Sequence, residues 1–197
     1  MTMNYGTGFK TALALTLTLV AAAGCGPANL GLLSPTPKIK ISAQAKTIAL
    51  DIGPDVLDSY VIPPTDYTRP IQVSDWRRTL DAGFKTGFSP VMKVVDKDAD
   101  LTVRLTKAEA SFERSGQSAS MASSSGSTFQ VQTDYSIPVF TCRIVYKAQL
   151  VNPKGEVIQK ASGVSLSTSK SSGIDELSTN AIENMYQQIA QRLFQEI

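Results

Sequence analysis

Residues 142–159 read CRIVYKAQLVNPKGEVIQ, and the fold turns on how they are interpreted. Cys142, Ile144, Tyr146, Ala148 and Leu150 occupy alternate positions, with Arg143, Lys147 and Gln149 between them. A period of two puts the first set on one face of a strand and the second on the other. Asn152, Pro153, Lys154 and Gly155 have the composition of a turn. From Glu156 to about Thr168 the chain returns as a second strand, which makes the pair an antiparallel hairpin. On its apolar face Cys142 reads as a small buried hydrophobe, because no cationic partner that would activate a thiol is evident.

Upstream, residues 129–151 form one long strand that Pro138 is expected to break. Before it, residues 115–128 hold seven serines and two glycines, and no charge occurs from 115 to 133. Such a composition buries too little to order itself, so a flexible hairpin tip is expected. The alternative is a tip that orders on a partner or a lipid surface, with Met121 and Phe129 as anchors. Leu101, Val103 and Leu105 begin another strand, and Ala108, Ala110 and Phe112 then fall on the opposite parity. That switch predicts a bulge near Lys107. Residues 91–95 read as a short strand.

Two helices flank these strands. Ile174, Leu177, Ala181, Ile182, Met185, Tyr186, Ile189, Leu193 and Ile197 fit a 3.6-residue period, with Ala190 and Phe194 widening the stripe. Asp175 and Glu176 suit its first turn and Arg192 its last. Residues 73–88 predict the other helix. Ser74 is its expected N-cap, and Val73, Trp76, Leu80, Phe84 and Phe88 form one stripe. Trp76 reads as a core anchor. Residues 46–52 alternate as a half-buried strand that 39–45 extends. The expected class is therefore α+β: a mostly antiparallel sheet with two helices packed on one face, a two-layer sandwich.

Residues 53–71 fit no regular element. Pro54, Pro63, Pro64 and Pro70 stand among Val56, Leu57, Tyr60, Val61, Ile62 and Tyr67. Long proline-rich loops inside a domain either lie across their own sheet or carry function. On the functional reading, Val56, Leu57, Tyr60, Ile62 and Tyr67 contact a partner, together with Met121 and Phe129.

Composition restricts the chemistry. The 197 residues carry a net charge of +2 and no histidine. Bulk charge selects no nucleic acid, and the missing imidazoles exclude a His-based triad or metal site. No phosphate loop, dinucleotide fingerprint or nucleophile elbow is present. Asp96, Asp98 and Asp100 alternate as a calcium loop begins, but the required glycine and closing glutamate are missing. No cofactor and no metal is expected, and a non-enzyme is the expected outcome.

The N-terminus carries the most specific motif. Residues 11–23 are apolar but too few for a bilayer core of about 30 Å, which takes about 20 helical residues. After Lys10, this run ending in small residues reads as a secretory signal. It closes on Ala22, Ala23, Gly24 and Cys25, which resembles the lipobox of bacterial lipoproteins. That resemblance implies cleavage after residue 24, a diacylglycerol on the Cys25 thiol and an acylated amine. Gly26 then implies sorting to the outer membrane, facing the periplasm. Removing 24 of 197 residues leaves 173. Lys10 leaves with them, so +2 becomes +1. Cys142 would be the remaining thiol, and no internal disulfide could form. The expected organisation is a signal at 1–24, a lipidated Cys25 with a flexible tether to 37, and a single domain over 38–197.

The stretches TIALDI, DWRRTLDAGF, DADLTVRLTKAE, CRIVYKAQLVNPKGEVIQ and AIENMYQQIAQRLF, in this order behind a lipobox, are similar to YajG-like outer-membrane lipoproteins. More remotely they are similar to accessory lipoproteins of lipopolysaccharide assembly and lipid-transport ABC systems. The resemblance implies an α+β fold and a non-catalytic adaptor that is held by its lipid and binds another envelope protein. A lipid or glycan module with an apolar groove between sheet and helices is the alternative.

Overall fold

The computed structural model describes residues 27–42, 45–64, 69–122 and 132–194, with backbone alone at 116–122 and 132–137. In chain order the elements are β1 (Ala28–Leu30), β2 (Thr47–Ile52), β3 (Tyr60–Ile62), β4 (Ile71–Val73), α1 (Trp76–Phe88), β5 (Lys93–Val94), β6 (Leu101–Ala122), β7 (Gln132–Val151), β8 (Val157–Ser169) and α2 (Ile174–Phe194). A five-stranded sheet has the order β5-β2-β6-β7-β8, and a three-stranded sheet the order β1-β4-β3. The class is α+β, with both helices beside the larger sheet.

The sheet is mixed. β6, β7 and β8 pair antiparallel, as their short connections require, whereas β2 runs parallel to both β5 and β6. Between β2 and β5 the chain passes through α1. Such a crossover returns a strand in the same direction, so its pairing is parallel.

The hairpin is as its alternation predicts. Cys142, Ile144, Tyr146 and Leu150 are all fully buried, and the bulge falls between Leu105 and Lys107. Asn152 Oδ1 accepts from the amides of Lys154 and Glu156, while Gly155 takes φ 83°, which suits glycine. Two expectations fail nearby. Residues 115–122, read as flexible tip, continue the β6 ladder opposite 132–139. Pairing to a second strand orders a backbone whose side chains offer little to bury. Nor does Pro138 break β7, where it pairs with Gly116. It shares the register parity of Ile144, whose partner Ala110 turns its amide away from β7 to the Tyr60 hydroxyl. Narrow and wide pairs alternate along an antiparallel ladder, so Pro138 stands where no bond to β6 is asked of its nitrogen. β8 ends opposite Phe140 and asks none either.

Along α2 every described position of the expected stripe is buried, apart from Ile174 at its start, which is half-buried. The stripe covers β7 and β8. Ser165 Oγ donates to the Ala181 carbonyl at 2.6 Å, and Tyr186 donates to the Leu80 carbonyl of α1 at 2.7 Å. Arg192 and Asn184 of α2 also reach over to donate to the carbonyls of Ser162 and Leu166 on the outer edge of β8. An open edge is a template for pairing with another chain, and these two side chains occupy it.

The N-terminal segment differs most from expectation. Residues 28–37, read as a tether, are docked. β1 pairs parallel with β4 and buries Leu30, and Leu33, Pro35, Pro37 and Ile39 then alternate inward with exposed residues between them. The Leu33 amide donates to Thr79 Oγ1 at 3.0 Å, and the Thr36 amide to Glu183 at 2.8 Å. Pro35 and Pro37 lie against Gly83 and Gly87 of α1, so close that a Cβ on those glycines would stand 2.8 and 2.5 Å from the proline rings. Prolines pre-set an extended chain and so lower the entropy lost on docking. The folded unit therefore includes residues 28–37. Residues 39–42 do not extend β2.

Candidate functional site

The proline-rich arm is built onto α1 and the edge of β6. Leaving β2, Gly53 donates its amide to the Leu105 carbonyl at 2.8 Å. The Arg77 guanidinium of α1 donates to the carbonyls of Ile52, Gly53 and Val56, which clamps the start of the arm. Asp58 caps the helix from a distance. Its carbonyl accepts from the Trp76 amide and its carboxylate from the Arg77 amide, each at 3.0 Å. Ser74, the expected cap, is replaced in that role. Asp75 takes the N-cap position in a left-handed conformation without a side-chain cap bond, and pairs with Arg78 instead.

Beyond the bulge β6 loses β2 as a neighbour, and two aromatic side chains take over its polar groups. Trp76 Nε1 donates to the Ala108 carbonyl at 2.9 Å, and the Ala110 amide donates to the Tyr60 hydroxyl at 3.0 Å. The two rings meet edge to face, with centroids 6.4 Å apart. Trp76 is 1% exposed, a core anchor as its place in the stripe predicts. Burial pushes the Tyr60 phenol up to about 12, so it stays neutral.

This construction sorts the proposed contact residues. Val56 and Ile62 are 2% and 7% exposed and belong to the protein's own core, so they offer nothing to a partner. Tyr60 is half-buried and its hydroxyl is engaged. Leu57 remains at the surface, 58% exposed, and Val61 joins it at 56%. Tyr67, Phe129 and Cys25 lie outside the described residues, as does the Met121 side chain. The periodicity of a three-residue strand is too short to show that Val61, rather than Ile62, points outward.

Leu57, Val61, Asp55 and Tyr60 form one wall of a cleft of about 590 Å³, and Thr106, Lys107, Glu109 and Lys147 of the sheet form the other. Lys107 Nζ lies 3.0 Å from Glu109 Oε2. The cleft thus offers two apolar side chains inside a ring of both charges, which suits a peptide segment of mixed character. A second cavity, of about 310 Å³, opens between sheet and helix at the other end of the arm. Ala28, Ile71, Phe112, Phe140, Ile174 and Leu177 line it, with the exposed Arg69 at its rim. Elsewhere the layer between sheet and α2 is filled by fully buried side chains.

Cys142 is fully buried, with its Sγ 3.9 Å from Ser178 Oγ, and burial pushes its thiol up to about 12. It is the inert hydrophobe that its position predicts. Asp100, of the alternating aspartates, accepts from the amides of Lys46 and Thr47 and from Thr47 Oγ1. These bonds, the Thr47 amide foremost, lower its carboxyl. It aligns the starts of β2 and β6. Among the described residues no cluster of acidic or sulfur side chains is arranged to hold a metal ion. No described helix is long and apolar enough to cross a membrane.

No protein-family model and no curated protein matches this chain. Among solved structures, it is similar to a minor lipoprotein from Acinetobacter baumannii, with a TM-score of 0.38 and 11% identity over 77% of this chain and 92% of that one. It is also similar to a neuraminyllactose-binding hemagglutinin homolog from Helicobacter pylori, with a TM-score of 0.35 and 11% identity over 83% and 91%.

Proposed function

We propose that this protein is a lipid-anchored envelope protein, held at Cys25 on the periplasmic face of the outer membrane, and that it acts as a non-catalytic adaptor for another envelope protein. The YajG-like pattern of the sequence supports this assignment, and no cofactor or metal is invoked. The observation that carries the adaptor role is the paired exposure of Leu57 and Val61 beside the 590 Å³ cleft. The arm beneath them is fixed by Arg77, Asp58 and Tyr60, so the two side chains are presented without the cost of ordering a loop.

A photo-crosslinking residue placed at Leu57 or Val61 in living cells tests it. A discrete protein adduct from both positions, absent when the probe sits at exposed Ile158, is the expected result. Equal labelling at all three positions, or none at the arm, would sink the adaptor reading. The anchor has a separate test. Cys25→Ser should abolish the acyl mass and release the protein from membranes. The alternative, an amphiphile-binding module, is favoured by the 310 Å³ apolar cavity and predicts a lipid or glycolipid that copurifies with the protein.

A further inference from the structure

We infer that the end of the molecule carrying Ala28, the 310 Å³ apolar cavity and the projecting β6–β7 ladder is a membrane-docking surface whose partner is the lipid bilayer itself. The inference rests on the proposed anchor at Cys25.

Three features meet at this end. First, β1 pairs with β4 in parallel from Ala28↔Ile71 to Leu30↔Val73. Val73 is level with Tyr60, which reaches Ala110, while Ala28 and Ile71 line the cavity with Phe112 and Phe140. The N-terminal end of β1 therefore points toward the hairpin end of the sheet. Second, the cavity is apolar and carries Arg69 at its rim, a match for acyl chains beneath phosphate headgroups. Third, β8 stops opposite Phe140, and past that point β6 and β7 continue alone for eight residue pairs, from Ser115↔Val139 to Ala122↔Gln132.

Lengths then restrict the geometry. Cys25 is three residues before Ala28, a reach of about 10 Å when fully extended. The ladder runs about 25 Å beyond the cavity at a rise of about 3.3 Å per residue. A leash this short at the base of a projection this long brings the ladder to the bilayer, along its surface or into its headgroups. The composition fits that place. Of residues 115–122 and 132–139, Asp134 alone is charged, and charges are what a membrane interior penalises most.

The test uses the full-length lipoprotein, reconstituted into phosphatidylethanolamine–phosphatidylglycerol vesicles that contain brominated lipid. An environment-sensitive fluorophore is placed on a cysteine at Ser118 or Ser136, which are paired in the ladder, or at Lys154 in the turn at the opposite end. The native Cys142 is buried and its thiol raised to about 12, so it does not compete for label. Mass spectrometry first reads the acyl groups on Cys25. The expected result is an acylated protein quenched severalfold more at 118 and 136 than at 154. Acylation with no quenching at either ladder position, or equal quenching at 154, overturns the docking surface and leaves the anchor standing. A mature protein without acyl mass overturns both.

Discussion

Helix α2 hides its apolar residues from Leu177 to Phe194 on the stripe that a 3.6-residue period predicts, while Ile197 lies outside the described residues. Helix α1 hides two faces, and just one of them is apolar. Its expected face is Trp76, Leu80, Phe84 and Phe88. The other is Thr79, Gly83 and Gly87, spaced by one turn and covered by the segment from Leu33 to Ile39. A helix that packs on a sheet announces itself through hydrophobic side chains. One that receives a proline-rich strand announces itself through the lack of side chains, which hydropathy does not register. Tyr186 joins the two helices, with its ring edge-on to Phe88 and its hydroxyl on the Leu80 carbonyl.

Substitutions distinguish the two helices. Trp76→Ala should have the largest effect, about 3–5 kcal/mol by chemical denaturation, because it empties a buried site and strands the Ala108 carbonyl. Ile182→Ala on α2 should cost about 2–5 kcal/mol through its cavity alone. If Trp76→Ala cost no more than a surface change, the role of this ring as a plug on the β6 edge would be wrong.

Gly87→Ala is the sharper test, because two rules give opposite signs. Intrinsic propensity favours alanine by about 1 kcal/mol within a helix. Contact with the ring and carbonyl of Pro37, at 2.5 and 3.3 Å from the new Cβ, predicts a net loss of about 1–3 kcal/mol instead. A stabilised variant would show that the N-terminal segment is not seated on α1. Increased proteolysis before residue 40 in the same variant would show that it had been displaced.

Alkaline titration probes the contacts between layers. An unfolded chain ionises Cys142 near 9.0 and its phenols near 10.0. The folded chain holds Cys142 and Tyr60 protonated up to about 12, and burial raises Tyr186 well above its ordinary value. In that window the unfolded state binds fewer protons. Stability is therefore fully present below pH 9 and falls as pH rises to about 12, by up to about 1.4 kcal/mol per pH unit for each such group. Tyr186→Phe should shallow that slope, measured as the denaturation midpoint against pH. An unchanged slope would mean that Tyr186 is not buried against α1.

The smallest expected effect is at the cap. Asp58→Ala removes the acceptor for the Arg77 amide and should cost about 0.5–2 kcal/mol, whereas Ser74→Ala should cost next to nothing. The reverse order would restore the local cap that the sequence suggests.

Much of the scaffold was legible. The β7–β8 hairpin, the bulge near Lys107, both helices and the buried Cys142 all follow from the period of their residues. Each of these depends on interactions within a few positions, or on one face being apolar. The candidate site was legible in part. The composition of residues 53–71 marked the arm, yet among its described residues Leu57 and Val61 are the exposed large apolar pair, while Val56 and Ile62 turn inward.

By itself the sequence determined the α+β class, the main antiparallel hairpin, the apolar face of α2 and the lipobox-like Cys25. Local periodicity and short motifs are sufficient for these. The tertiary structure decided the parallel pairing of β2, the docking of residues 35–39 against Gly83 and Gly87, the capping of α1 by Asp58 and the plugging of β6 by Trp76 and Tyr60. Each joins residues far apart in the chain through a polar group or an empty space rather than a hydrophobic side chain. Such partners carry no period, so only the folded chain shows which of them meet.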